Sequence, residues 1–308
     1  MRYLFRKLIE LIITVLAVSV VTFTAFMVIP GDSDTVLAGT EGIRQSVKEE
    51  SGNIIVQYGR WIKGALVGDF GESSQFKMPV SDLLGERLIV TIHLGVMCII
   101  LIALVSLPFG ILCARKPGGI LDNVIMALSN VFMATPEFFM GMLLTIIFGV
   151  TLRWFIPGRY TSYAVDYVGF ISYMIMPALA IALPKMAQMI KFIRNSIITE
   201  LKKDYVRTAL SKGAGKNRIM YRHVLKNALI PVITFFAIII AQVFAGSIVA
   251  EQVFSVPGIG RLLVSSVLNR DYNVCSAILL YISIVVVVCN MTADVMYYYL
   301  NPRKEEKI

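Results

Sequence analysis

The chain has 308 residues, of which 57% are apolar and only 16% charged, and its formal net charge is +9. Soluble domains average about 45–50% apolar and about 25% charged residues, so this composition argues against an ordinary soluble enzyme. It also excludes a disordered chain, because disorder needs low hydrophobicity. A basic excess is compatible with nucleic acid, anionic lipid or the cytoplasmic face of a membrane protein, and the positions of the charges decide among these.

Six apolar stretches are long enough to cross a membrane, which takes about 20 mostly apolar residues. They lie at roughly 8–29, 88–113, 124–150, 173–193, 228–250 and 276–300. The first stretch is too long for a signal-peptide core and ends in Ile-Pro-Gly-Asp, without a small-residue cleavage site, so we interpret it as a retained span. The sequence therefore predicts an all-α membrane protein with six transmembrane helices.

The basic residues divide unevenly between the two sides that six spans create. Nineteen of the 29 Lys and Arg fall on the side of the two termini, and the largest group lies in one loop, residues 191–226. Because short cytoplasmic loops carry the excess of Lys and Arg, we predict a multi-pass protein of the inner (cytoplasmic) cell membrane with both termini in the cytoplasm. The lipid bilayer is then the expected surrounding, and nucleic acid is not an expected partner.

The spans divide the chain into four predicted segments. Residues 1–30 form an N-terminal cytoplasmic tail and the first helix, 31–87 an external segment, 88–300 a five-helix core and 301–308 a cytoplasmic tail. The external segment has too few large apolar residues for a big core, so a small α/β or helical elaboration is expected there. Inside the core, residues 194–227 form the basic cytoplasmic loop.

The basic loop has the pattern of two short helices joined by a Gly-Ala-Gly corner. Apolar residues recur at helical spacing before Gly213 and again after Gly215. Glycine suits a corner because it tolerates positive φ and close backbone approach. A short helix presented in this way fits docking into a groove on a soluble partner, and an ordinary basic loop is the alternative. Leu210 and Asn217 stand where a phosphate-binding loop needs Gly and Ser/Thr, so the chain is not itself predicted to be an ATPase.

Short motifs continue along nearly the whole chain. They are Ile29-Pro30-Gly31-Asp32, Gly68-Asp69-Phe70-Gly71, DYVRTA at 204–209 with Lys212-Gly213, RHVLKNALIP at 222–231, Glu251 and Phe254 with Pro257-Gly258-x-Gly260, Arg270-Asp271-Tyr272, Asp294, and Asn301-Pro302-Arg303. In this order they resemble the permease subunits of ABC importers, in the dipeptide/oligopeptide/nickel branch. The family's founding Glu-Ala-Ala is replaced by Arg207-Thr208-Ala209, as is usual for this branch. The external segment looks shorter than in many relatives, which leaves docking of the ligand-delivery protein less defined.

The resemblance implies a type I ABC importer fold and a role for the basic loop. In such importers this "EAA" loop forms a coupling helix that sits in a cleft of the ATPase subunit. Carried over, the helix is roughly 204–215, where small residues permit close approach and basic residues pair with acidic groups on the ATPase. The implied ATPase-coupling residues are Asp204, Arg207, Thr208, Ala209, Lys212 and Gly213. For Arg207, a solvated basic residue is the alternative.

Two further groups of residues concern the translocation path. The resemblance implies an external gate region with a re-entrant or surface helix, and an ordinary loop is the alternative. Its residues are Glu251, Phe254, Pro257, Gly258 and Gly260. Glu137, inside the third span, is the candidate for the path itself, because ionisable groups in spans are costly and usually face the bundle interior or water. It could meet a peptide's amino terminus; a structural cation partner is the alternative.

The resulting hypothesis is half of the translocation pathway of an ATP-driven importer of dipeptides or oligopeptides. Expected partners are a second homologous permease subunit, one or two ABC ATPase subunits that bind ATP and Mg, and an extracytoplasmic substrate-binding protein. No catalytic residue, cofactor or metal is expected in this chain, which has only two histidines, His93 and His223. Nickel or another chelated metal is the alternative substrate. Remote alternatives are a secondary transporter and an integral-membrane enzyme.

Overall fold

The computed structural model describes residues 2–28, 54–156 and 158–300. Within these ranges the chain is helical, apart from connecting segments and one isolated bridge between Glu72 and Pro79. The predicted all-α class is therefore confirmed. The motifs at 29–32 and 301–303, together with the first part of the predicted external segment, lie outside the described residues.

The helices follow one another with short connections. They are α1 (Arg2–Val28), α2 (Ile54–Leu66), α3 (Val80–Arg115), α4 (Ile120–Ala134), α5 (Glu137–Leu144), α6 (Tyr167–Leu201), α7 (Asp204–Ser211), α8 (Lys216–Ile219), α9 (Leu225–Val253), α10 (Ile259–Leu268) and α11 (Tyr272–Leu300). A π-helical turn, Thr145–Thr151, continues α5, and a second, Met220–Val224, joins α8 to α9.

Among the described residues, five helical segments are long and apolar enough to cross a membrane, and a sixth crossing results if α4 and α5 count as one span. The protein is therefore a multi-pass membrane protein. The stretch predicted as the third span, 124–150, is not one straight helix, because the chain bends by 108° between α4 and α5. Pro136 lies at the break, and a proline pushes the residue before it out of the α region. Thr135 is accordingly extended, with φ −87° and ψ 122°.

The described residues divide into two compact units. The first comprises Met1–His93 and Ser255–Val288. Its core consists of buried apolar side chains from α3, α10 and α11: Val80, Leu83, Ile259, Leu262, Val274, Ala277 and Ile278. In the same unit α2 packs on α1, where the hydroxyl oxygens of Ser19 and Tyr58 lie 2.7 Å apart. The described part of the predicted external segment, residues 54–87, thus consists of α2, a connecting loop and the first turns of α3.

The second unit, Leu94–Phe254 with Cys289–Ile308, is organised around α6. Helices α4, α5 and α9 all pack against α6. Its fully buried apolar side chains include Phe170, Met174, Ile181, Ile193 and Ile197. Helices in a membrane associate mainly through close packing and not through the hydrophobic effect. Since three helices pack against α6, it is the scaffold that positions the charged residues described below.

Candidate functional site

Helix α7 is a short helix with an exposed outer face at the end of α6. Val206 is only 4% exposed and holds the helix to the body of the unit. The outer face carries the six predicted coupling residues, of which Ala209 is half-buried and the others exposed: Asp204, Arg207, Thr208, Ala209, Lys212 and Gly213. The segment therefore offers two cations and two small residues to a partner surface.

Tyr205 anchors the inner side of α7. Its hydroxyl donates a hydrogen bond to the Glu200 carboxylate, with an oxygen–oxygen distance of 2.9 Å, and Lys203 pairs with the same carboxylate. Burial raises the pKa of the Tyr205 phenol; a hydrogen bond with Asn227 acts against this rise, and Glu200 adds to it. The phenol consequently remains a neutral donor at physiological pH and ties α7 to the end of α6.

Gly213 closes the carboxyl end of α7. Its φ is +79°, and its N–H donates to the Leu210 carbonyl at 2.9 Å while the Ala214 N–H donates to the Ala209 carbonyl at 3.1 Å. These bonds form a left-handed helix cap of the kind that favours glycine. A β-carbon at Gly213 meets no atom within 4 Å, so backbone conformation and not space requires glycine here. Gly215 has φ −64°, so the second glycine of the corner is not required in this way.

The predicted gate residues divide between the two units. Glu251 and Phe254, in the second unit, are both fully buried. The Phe254 carbonyl accepts a hydrogen bond from the Tyr173 hydroxyl at 2.5 Å, and the Phe254 ring lies 5.8 Å from the ring of Phe155. The end of α9 is therefore held by aromatic packing and a buried hydrogen bond.

The other three gate residues lie in the first unit, at the start of α10. Gly258 is the residue before this helix. The Pro257 carbonyl accepts from the Arg87 guanidinium at 3.4 Å, and the Ile259 N–H donates to the Thr91 hydroxyl at 2.9 Å. A short apolar helix, and not an ordinary loop, thus follows Pro257, and α3 supplies the groups that hold its first turn.

Two motifs without a predicted role meet in the first unit. Asp271 is fully buried, and its carboxylate accepts from the Ser73 hydroxyl at 2.5 Å and from the Gln75 N–H at 3.2 Å. Next to it, the Asn273 side-chain amide donates to the Glu72 carbonyl at 2.9 Å. The loop that follows Gly68-Asp69-Phe70-Gly71 is thereby fastened to the first turn of α11.

We expect Asp271→Ala to release this loop. The change leaves the buried Ser73 hydroxyl without its acceptor, which costs about 1–3 kcal/mol, and it also removes the acceptor of the Gln75 N–H. Limited proteolysis should cut the loop at 68–79 several times faster, with Asp69→Ala as the matched control, because the Asp69 carboxylate accepts only an exposed bond from Gly71. Equal cutting of the two variants would contradict the anchoring role.

Glu137 forms an ion pair inside the second unit. Its carboxylate lies 3.0 Å from the Lys185 ammonium, and the two side chains are 22% and 13% exposed. Gly246 of α9 lies against the carboxylate, where a β-carbon would overlap it. Helices α5, α6 and α9 therefore meet at one charge pair, and the cation partner foreseen as the alternative for Glu137 is present.

The position of Lys185 corrects the charge assignment. The sequence count groups Lys185 with the cytoplasmic cations, yet it lies 16 residues before the end of α6 at Leu201. At 1.5 Å per residue this is about 24 Å along the helix, which puts Lys185 well inside the span.

A second ion pair was not predicted from the sequence. The Asp122 side chain is 1% exposed, and the Arg194 guanidinium donates to its two oxygens at 2.5 and 2.6 Å. The Gly118 N–H donates to the same carboxylate at 2.8 Å. The sequence signal that could have indicated this ion pair is the position of Asp122 next to an apolar run, because an ionisable residue there needs a partner in a membrane protein.

Two family models match the chain. Residues 106–306 match "Binding-protein-dependent transport system inner membrane component". Residues 1–95 match the corresponding N-terminal model, "Binding-prot-dependent transport system membrane comp, N-term". The first of these alone covers more than half of the chain and includes α7 and the Glu137–Lys185 pair.

Curated relatives match over their full length. The "Oligopeptide transport system permease protein AppB" of Bacillus subtilis (strain 168) is 35% identical over 98% of this chain and 99% of its own. The "Probable peptide ABC transporter permease protein y4tP" of Sinorhizobium fredii and the "Glutathione transport system permease protein GsiC" of Salmonella paratyphi A are each 34% identical over 98% of both chains. The chain thus belongs to the inner membrane components of binding-protein-dependent transport systems, the membrane-spanning permease subunits of ABC importers.

Proposed function

We propose that the chain forms half of the pathway through which an ATP-driven importer passes peptides across the cytoplasmic membrane. The names of the full-length relatives, which refer to oligopeptides, peptides and glutathione, support this substrate class. The proposed assembly adds a second homologous permease, one or two ATPase subunits that bind ATP and Mg, and an extracytoplasmic binding protein. This chain contributes no nucleotide site and no catalytic residue of its own.

Helix α7 is the observation that carries the proposal. It is short, its outer face is exposed, and together with Lys212 just beyond its end it presents two cations. It stands between the long apolar helices α6 and α9, and Gly213 after its end is in the left-handed region. With both termini in the cytoplasm, α7 also faces the cytoplasm. There Arg207 and Lys212 pair with acidic groups of the ATPase, and Thr208 and Ala209 allow the close approach that coupling needs.

We propose that the gate lies on the opposite membrane face, and the length of α9 supports this. The helix has 29 residues, which corresponds to about 44 Å at 1.5 Å per residue, whereas the hydrocarbon core is about 30 Å thick. Glu251 and Phe254 therefore lie at the external end when α7 lies at the cytoplasmic end. Pro257, Gly258 and Gly260 follow within a few residues and belong to the same external region.

Uptake by the complete reconstituted complex tests the substrate class. Proteoliposomes that contain both permeases, the ATPases and the binding protein should accumulate a labelled dipeptide or oligopeptide when ATP is supplied to the ATPase side. Accumulation of a nickel chelate without any peptide uptake would overturn the peptide assignment. Uptake that does not depend on ATP would overturn the importer mechanism.

We further propose that the Glu137–Lys185 pair lines the path and exchanges with the charged termini of a passing peptide. Glu137→Gln should then lower uptake of a peptide with a free amino terminus about tenfold, since loss of one charged contact costs about 1.5–3 kcal/mol. The same variant should transport an N-acetylated peptide almost as well as the wild type does.

Glu86→Gln is the control for this experiment, because Glu86 is an exposed residue of α3 and its change should leave both rates unaltered. The comparison of the two peptides separates a path role from a structural one. An equal loss for the free and the acetylated peptide in Glu137→Gln would assign the ion pair to helix packing alone.

A further inference from the structure

A cavity of about 530 Å³ opens in the second unit beside the turn between α3 and α4. Three cationic side chains line it: Arg115, Lys116 and Lys216. The apolar side chains of Leu112, Ile120 and Leu121 share the same walls. A cavity lined by both cations and exposed apolar groups matches a ligand that is itself anionic at one end and apolar at the other.

No acidic residue of the described cavity lining neutralises its three cations. Asp122 is the single carboxylate among the described residues that line it, and both of its oxygens accept from the Arg194 guanidinium. The Arg115 guanidinium donates to the Asn217 side-chain carbonyl at 3.3 Å, which orients it at the cavity. An anion that enters therefore meets three cations and no uncompensated negative charge.

The cavity also lies at the depth of lipid headgroups. Arg115 ends the apolar helix α3 and Ile120 begins the apolar helix α4, so the turn between them is where two spans leave the hydrocarbon. Ile120, Val124, Leu128 and Val131 are each at least half exposed, and their spacing puts them on one face of α4. From the first to the last this stripe is about 16 Å long, close to the thickness of one hydrocarbon leaflet, which is about 15 Å.

We propose that the cavity binds the phosphate of an anionic phospholipid headgroup, with one acyl chain of the lipid along the α4 stripe. Basic pockets between membrane helices recognise such headgroups elsewhere, and here the apolar stripe that leads from the cavity specifies lipid over a soluble acidic protein. The lipid would lie in the cytoplasmic leaflet, and this assignment rests on the proposed function and its topology. The site itself depends only on the ends of α3 and α4.

Lipid retention by the complete transporter tests this site. The complex in nanodiscs of phosphatidylcholine with increasing phosphatidylglycerol should retain phosphatidylglycerol, measured by native mass spectrometry after release from the nanodisc. The double variant Arg115→Gln/Lys216→Gln should bind it about thirtyfold more weakly, because each cation near the membrane surface contributes about 1 kcal/mol. The double variant Arg218→Gln/Arg222→Gln removes the same charge from exposed positions outside the cavity and should retain the lipid.

Further variants and a competition experiment distinguish a lipid from free phosphate and show whether a loss of binding is due to misfolding. Arg115→Lys keeps the charge and should retain phosphatidylglycerol. Leu128→Gln, which changes the apolar stripe, should weaken lipid retention. Inorganic phosphate at millimolar concentration should not displace the lipid. Displacement by phosphate would reassign the site to free phosphate. Equal losses in the two double variants, or retention by the isolated permease but not by the complete complex, would overturn the proposal. Because retention is measured without transport, failure here and failure of the proposed function remain distinct.

Discussion

Replacing Gly213 by valine is expected to lower ATP-driven uptake at least tenfold while the subunit still inserts and assembles. Gly213 has φ +79°, and an L-residue in the left-handed region costs roughly 1–2 kcal/mol, with a β-branched residue worse still. A shift of 1.4 kcal/mol changes a population about tenfold. The strained corner therefore moves α7 away from the orientation in which it meets the ATPase.

Two control variants isolate the backbone as the cause. Gly213→Asn should retain much of the uptake, because asparagine tolerates the left-handed region better than other residues with a side chain do. Gly215→Val introduces the same side chain at φ −64°, where no strain arises. Uptake, ATP hydrolysis and co-purification of the ATPase are measured for each. Wild-type uptake in Gly213→Val would refute the assignment, and an equal loss in Gly215→Val would point to bulk in the loop and not to φ.

The two short helices of the basic loop and the glycine corner between them were predictable from the sequence because their signals are local. Helical spacing of apolar residues, a Gly-Ala-Gly corner and a run of cations lie within a few tens of residues, and each acts through its immediate neighbours. The structure adds which glycine matters. Gly213 has φ +79° and its N–H bonds back to the last turn of α7, whereas Gly215 has φ −64°, which other residues also adopt.

The break in the third span shows where local signals fail. Pro136 lies at a bend of 108°, yet Pro177 and Pro184 both lie inside the continuous helix α6. The proline itself is the same in all three cases. Membrane helices tolerate proline when neighbouring helices and side chains satisfy the freed backbone groups, so tertiary surroundings decide between a break and a continuous helix, and the sequence does not display them.

The sequence shows that certain acidic residues need a cationic partner, but it does not show which residue the partner is. Ionisable groups near apolar runs must find partners, which marks Glu137 and Asp122 as residues in want of a cation. The partners lie far away in the chain: Arg194 is 72 residues from Asp122, and Lys185 is 48 residues from Glu137. Contacts at such separations depend on how the helices pack, and no spacing within one segment encodes them.

Arg194→Met is expected to destabilise the permease by about 3–5 kcal/mol, since it leaves a buried carboxylate without its countercharge. The Asp122 side chain is 1% exposed, so its charge depends on the Arg194 guanidinium for compensation. Thermal unfolding of the purified subunit should report a lower Tm than the control Lys191→Met, because Lys191 lies one turn earlier on α6 and only donates to the Asn130 side chain at 3.3 Å.

The double variant Asp122→Asn/Arg194→Met should recover most of the lost stability. Asparagine removes the unpaired charge and still offers an oxygen to the Gly118 N–H, and replacing a buried ion pair as a whole is often nearly neutral. A double-mutant cycle then gives a coupling energy well above 0.5 kcal/mol, the level expected of independent sites. Additive losses would show that the two residues act separately. Recovery would show instead that Asp122 and Arg194 matter because each neutralises the charge of the other. The packing of α4 against α6 would then be stable without either charge.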